Sequence, residues 1–67
     1  MDSIFPNIDR ELEKRGQNYR DLARVVDLSD IQMYRRLRGQ TRLQLKEAIK
    51  ICHFFELYDL ETLFARR

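Results

Sequence analysis

One cysteine, one proline, two glycines and no tryptophan among 67 residues exclude several ways of building a small protein. The single cysteine, Cys52, rules out an intrachain disulfide. Lone Cys52 and lone His53, with no CxxC or HxxxH spacing anywhere, supply no zinc ligand set, so no structural metal is expected. Gly16 and Gly39 lie too far apart for a glycine-rich phosphate loop, and Ser3 and Ser29 lack the flanking glycines of a nucleophile elbow. Neither an enzyme nor a cofactor is expected. No apolar run approaches the roughly 18 residues of a membrane span. Met1-Asp2-Ser3 also lacks the basic start and apolar stretch of a signal peptide, which predicts a cytoplasmic protein without membrane contact.

What is present is a highly charged, helix-favouring chain: 8.2 kDa, 43% hydrophobic and 36% charged. That predicts one small domain over residues 1–67, with no separate effector-sensing domain. A domain of this size buries only about 60% of its unfolded surface, so efficient helix packing has to replace staples. The net charge of +2 hides an uneven distribution. Residues 1–13 set Arg10 against Asp2, Asp9, Glu11 and Glu13, a net of −3. Residues 14–42 set Lys14, Arg15, Arg20, Arg24, Arg35, Arg36, Arg38 and Arg42 against Asp21, Asp27 and Asp30, a net of +5. All of those central cations but Lys14 are arginine, whose planar fork suits phosphate and guanine edges; the plainer reading is a solvated helical surface.

Apolar spacing predicts an all-α bundle of about five short helices. Phe5, Ile8 and Leu12 fall at i, i+3, i+7, with Pro6 suited to a first turn and Gly16 to a stop, which gives a helix near 6–15. Asn18, with Asp21 three residues on, starts a two-turn helix that buries Leu22, Ala23 and Val26. After the break at Asp27-Leu28-Ser29, Ser29 caps a third helix from Asp30 to about Arg38, closed by Gly39. A fourth runs from about Leu45 to Phe55, started by Thr41 or by Gln44, each with Gln or Glu three residues on. Its apolar set, Leu45, Ala48, Ile49, Ile51, Cys52, Phe54 and Phe55, is too wide for one stripe, so the helix is central to the core or touches a second subunit. Cys52 reads as a small core residue and His53 as a surface or interface imidazole. A short last helix, capped by Asp59, carries Leu60, Leu63 and Phe64, with Arg66 and Arg67 facing its C-terminal dipole.

The third helix carries two faces. Met33 and Leu37 share one, while Ile31, Tyr34, Arg35 and Arg38 fall at i, i+3, i+4, i+7 on the other. The second stripe is unlike a core. Two arginines, a tyrosine and an isoleucine together suit phosphates, base edges and a thymine methyl.

A two-turn helix, a tight break and a second helix with an exposed polar stripe form a helix-turn-helix layout over about residues 18–39. This segment, through Leu22-Ala23, Val26, Leu28-Ser29, Met33 and Arg38-Gly39, resembles the lambda repressor/Cro-like family of prokaryotic and phage regulators. The run Leu45 to Cys52, followed by Leu57 and Leu60 to Phe64, is similar to the family's last two helices. The resemblance spans roughly residues 5–65. It implies a sequence-specific, double-stranded DNA-binding transcription regulator of Cro-like size, a repressor whose third helix enters the major groove. Carried onto matching positions, the contacts are Ser29, Asp30, Ile31, Tyr34, Arg35 and Arg38, with Gln40 and Arg42 on phosphate. Arg35 is the foremost base reader, toward guanine O6/N7, and Gln32 a lesser one, toward an adenine edge or a phosphate. Tyr19 stands where the family often has a DNA-contacting glutamine; it hydrogen-bonds phosphate or extends the Leu22/Ala23/Val26 stripe. Asp30 accepts from cytosine N4 or caps its own helix. Asp27 stands where the family usually has glycine, which calls for a left-handed aspartate.

Phe54, Leu57, Leu60, Leu63 and Phe64 exceed what so small a core requires, so any homodimer forms through the fourth and fifth helices, on a palindromic site with half-sites about 34 Å apart. A monomer acting with another regulator is the other possibility. The alternative function keeps the fold but turns Ile31, Tyr34, Asp27 and Asp30 toward a protein partner, as an antirepressor or antitoxin does.

Overall fold

The computed structural model describes residues 2–67, which form five helices and no strand: α1 Pro6–Lys14, α2 Tyr19–Val26, α3 Asp30–Leu37, α4 Leu45–Phe55 and α5 Leu60–Leu63. Local chemistry sets most of the boundaries. Pro6 opens α1, where its missing N–H is not needed, and the chain leaves α1 through Gly16 at φ +65°. Asn18 and Asp21 form a reciprocal cap on α2: Asn18 Oδ1 accepts from Arg20 N at 2.9 Å, and Asp21 Oδ2 accepts from Asn18 N at 2.9 Å. Ser29 and Gln32 do the same for α3, with Ser29 Oγ accepting from Gln32 N and Gln32 Oε1 from Ser29 N. Of the two starts open for α4, the chain uses Gln44, whose N–H donates to Glu47 Oε1 at 2.9 Å. Asp59 accepts from the Thr62 N–H and hydroxyl at the start of α5. The Thr62 donors hold its carboxyl below the ordinary carboxylate range, so the cap persists at neutral pH and is lost only as pH falls through that depressed value.

The α2–α3 break depends on one residue. Asp27 sits at φ 61°, ψ 43°, which lets Leu28 N–H reach back to the Ala23 carbonyl at 2.9 Å and turns the chain sharply into Ser29. Glu56 plays the same part after α4, at φ 58°. With these turns in place, α2 packs against α3 and α4, and α5 against α4 and α1. Ile8, Leu12, Leu22, Ala23, Val26, Met33, Leu37, Ile51, Cys52, Phe55 and Leu63 form the core, with Phe5 from the N-terminal segment.

The apolar set of α4 divides. Ala48, Ile51, Cys52 and Phe55 are buried, Phe54 is half-buried, and Leu45 and Ile49 stay exposed. Leu63 belongs to the core and not to the apolar surplus; Leu57 and Leu60 remain exposed. His53 is exposed, its ring edge-on to Tyr58 at 5.5 Å.

Arg66 and Arg67 do not serve the α5 dipole. Arg67 turns back onto the N-terminal segment: its Nε donates to the Ser3 carbonyl at 2.8 Å, its Nη2 to Asp9 Oδ2 at 2.9 Å, and its backbone N–H to the Ile4 carbonyl at 3.1 Å. A four-residue helix presents only a small partial charge, whereas a carboxylate and a carbonyl are full acceptors for the arginine fork. The same segment donates Ile4 N–H to the Leu37 carbonyl at the end of α3, and Phe5 meets Phe64 edge to face at 5.5 Å.

One ion pair joins α3 to α4. Arg36 Nε donates to Glu47 Oε1 at 2.7 Å, with both side chains largely withdrawn from water. Replacing Arg36 with methionine leaves the Glu47 carboxylate buried and unpaired, and is expected to lower the unfolding free energy in urea by about 3 kcal/mol. Asp27→Gly is expected to act oppositely. It relieves the left-handed aspartate at some cost in unfolded-chain entropy, for a net gain of up to about 1 kcal/mol and a rise in Tm of a few degrees.

Candidate nucleic-acid interface

Because Met33 and Leu37 are fully buried, the helical period turns Ile31, Tyr34, Arg35 and Arg38 outward. Ile31 is 58% exposed and offers an apolar contact in the middle of this polar face. Tyr34 lies edge-on to Tyr19, ring centroids 5.5 Å apart, and the Arg20 guanidinium sits 5.3 Å from the centre of the Tyr19 ring. Tyr19 is half-buried and packs on the core, so its ring continues the α2 stripe. Arg20 also pairs with Asp30 across the turn, at 3.7 Å between Nε and Oδ2, and partly offsets the carboxylate at the entrance of α3. Ser29 and Gln32 lie beside Asp30 and are engaged with each other through the cap. The Gln32 amide nitrogen is left as that side chain's donor. Gln40 and Arg42 are exposed on the loop after α3, which the Gln40 N–H ties to the Arg35 carbonyl at 2.9 Å.

The eight cations of the basic segment are not equivalent. Lys14 pairs with Glu11, Arg20 with Asp30, Arg24 with Asp21, and Arg36 with Glu47. Arg15 caps the C-terminal end of α4, donating to the Phe55 carbonyl at 2.9 Å with its guanidinium over the Phe55 ring. Arg38 donates to the Asp2 carbonyl, so one arm of its fork holds the N-terminal segment. Among the described residues, Arg35 and Arg42 alone of the eight have neither a carboxylate nor a hydrogen-bond partner for the side chain. Of these partners, sequence spacing shows only the Lys14–Glu11 and Arg24–Asp21 pairs, at i, i+3 on one helix; the others lie on other elements. Arg20 and Arg36 owe their roles to tertiary pairing that no single-helix pattern reveals.

The remaining reactive groups lie elsewhere. Burial raises the Cys52 thiol above its ordinary value, which favours the unreactive protonated form. Among the described residues, no three His, Cys, Asp or Glu side chains are grouped to hold a metal ion. Among the described residues, no helix is long and apolar enough to cross a membrane.

A two-turn helix, a left-handed turn and a second helix with a solvent-facing polar stripe define a helix-turn-helix protein. The family model for the Cro/C1-type HTH DNA-binding domain matches residues 7–65, and the chain belongs to that family. No curated protein and no solved structure matches it.

Proposed function

We propose that this DNA-binding regulator is a sequence-specific, Cro-like repressor, acting in the cytoplasm as a single domain over residues 1–67, whose α3 reads the major groove of double-stranded DNA. The observation that carries the reading is the pair of unengaged arginines. Of eight central cations, the two without partners among the described residues are Arg35, on the exposed face of α3, and Arg42, on the loop behind it. An arginine left without a carboxylate keeps its whole fork for a guanine edge or a phosphate. In this reading Arg35 contacts guanine O6/N7, and Ile31 packs on a thymine methyl. Ser29, Asp30 and Gln32 line the entry of the helix, and Tyr34 lies one turn further on beside Arg35. Arg38 and Gln40 lie along the backbone beside Arg42, and Tyr19 supports the face from behind.

Pairing through α4 and α5 is part of the proposal. Leu45, Ile49, Leu57 and Leu60 are exposed there, with Phe54 and Phe64 half-covered. A two-fold pair reads a palindrome with half-sites about 34 Å apart.

Binding to a duplex library at several salt concentrations tests the reading. Arg35→Ala is expected to relax preference at one base pair, a loss of about 1–3 kcal/mol of discrimination. Arg42→Ala is expected to weaken all sequences alike and to flatten the salt dependence by roughly 0.9 in log–log slope. A protein that prefers no duplex over any other, with Arg35→Ala without effect, overturns the proposal.

A further inference from the structure

The C-terminal tail ends beside the loop that follows α3, and the two enclose a cleft. Ile4, Arg36, Gly39, Thr41, Arg42 and Arg66 are among its lining residues, and none of the residues lining it is acidic. Arg36 carries no spare charge there. Its Nε is held by Glu47, and its Nη1 donates to the Thr41 hydroxyl at 3.5 Å. The unbalanced charge comes from Arg42 and Arg66, both exposed and without a carboxylate or hydrogen-bond partner for the side chain among the described residues. Arg66 is not a loose end. The next residue is pinned to Ser3, Ile4 and Asp9. That anchor carries the Arg66 Nη2 to 3.7 Å from the point where a Cβ on Gly39 would lie. Gly39, at φ +76°, leaves that space open; an added Cβ would come within 3.1 Å of the Ile4 side chain.

Two arginines without carboxylate partners line one cleft, with the Thr41 hydroxyl beside them and no carboxylate, which matches the charge and the acceptor-rich shape of a phosphate. We propose that this cleft is a phosphate-binding site in which Arg66 of the tail and Arg42 of the α3–α4 loop hold one phosphate between them. The source is the DNA backbone just beyond the C-terminal end of α3, which rests on the DNA-reading function proposed above. The tail then extends the contact surface past the helix-turn-helix by one phosphate, and the anchor formed by Arg67, Ser3 and Asp9 positions it.

The test compares wild type, Arg66→Ala and Arg66→Lys on a preferred duplex and a scrambled one. Arg66→Ala is expected to raise Kd by the same factor on both duplexes. That factor should shrink about 3.5-fold between 50 and 200 mM salt, the signature of one lost phosphate contact. Arg66→Lys is expected to restore the slope, and thermal midpoints should be unchanged, since Arg66 is exposed and holds no other group. Duplex binding by wild type with no change in Kd or slope for Arg66→Ala overturns the site while leaving the DNA-reading function standing. If wild type binds no duplex, inorganic phosphate decides the matter. Amide shifts at Gly39–Thr41 that disappear in Arg66→Ala support a phosphate site filled by the free ion, and no shifts overturn it.

Discussion

The Arg36–Glu47 ion pair locks in place the facing of the third helix that burial of Met33 and Leu37 sets. Arg35, Arg36, Leu37 and Arg38 are consecutive, and any one of the three arginines has the chemistry for a buried partner. Glu47 Oε1 accepts both from the Gln44 N–H at the start of α4, at 2.9 Å, and from Arg36 Nε, at 2.7 Å, so the acceptor for Arg36 is held by the helix cap. Once Arg36 points to α4 and Leu37 is buried beneath it, rotation of α3 about its axis is closed off. Arg35 is left in water and Arg38 over the N-terminal segment. A buried pair of this kind adds little net stability over an apolar substitute, but an alternative rotation would strand a carboxylate. Its effect is on orientation, and orientation is what a recognition surface requires.

The second constraint is closure of the ends. With no disulfide and a small core, the termini are where such a domain frays. Here residues 2–5 lie between the end of α3 and the tail, held by the Ile4 N–H on Leu37, by Arg67 on Ser3 and Asp9, and by Phe5 against Phe64. The clamp brings the N-terminal segment onto the end of α3 through backbone groups, the Ile4 N–H and the Asp2 carbonyl.

Features that depend on local chemistry were legible in the sequence. Helix positions followed from apolar spacing, and Asn18, Ser29, Gly16 and Asp59 marked ends because capping acts within three or four residues. Even the left-handed Asp27 was foreseeable. The Ser29–Gln32 half of the α3 cap is equally local, and its Ser-x-x-Gln spacing was its signal. Arg36–Glu47, Arg20–Asp30 and Arg15 on the Phe55 carbonyl were not legible, since each joins different helices and depends on how they cross. The course of the tail was not legible for a related reason: α5 is one turn long, and the Ser3 carbonyl and Asp9 carboxylate are stronger acceptors for Arg67 than the end of that helix. The outward face of α3 followed from its period alone. Which of its arginines keep an open fork depended on the tertiary partners of the others.

Amide chemical-shift mapping with a selected duplex tests most directly that α3 presents Arg35 outward while Arg36 stays bound to Glu47. The expected result is shifts at Ile31, Tyr34, Arg35 and Gln40 to Arg42, with the Arg36 and Glu47 signals of the free protein retained in the complex. Shifts confined to the outer faces of α4 and α5, around Leu45, Ile49 and Leu60, would contradict it.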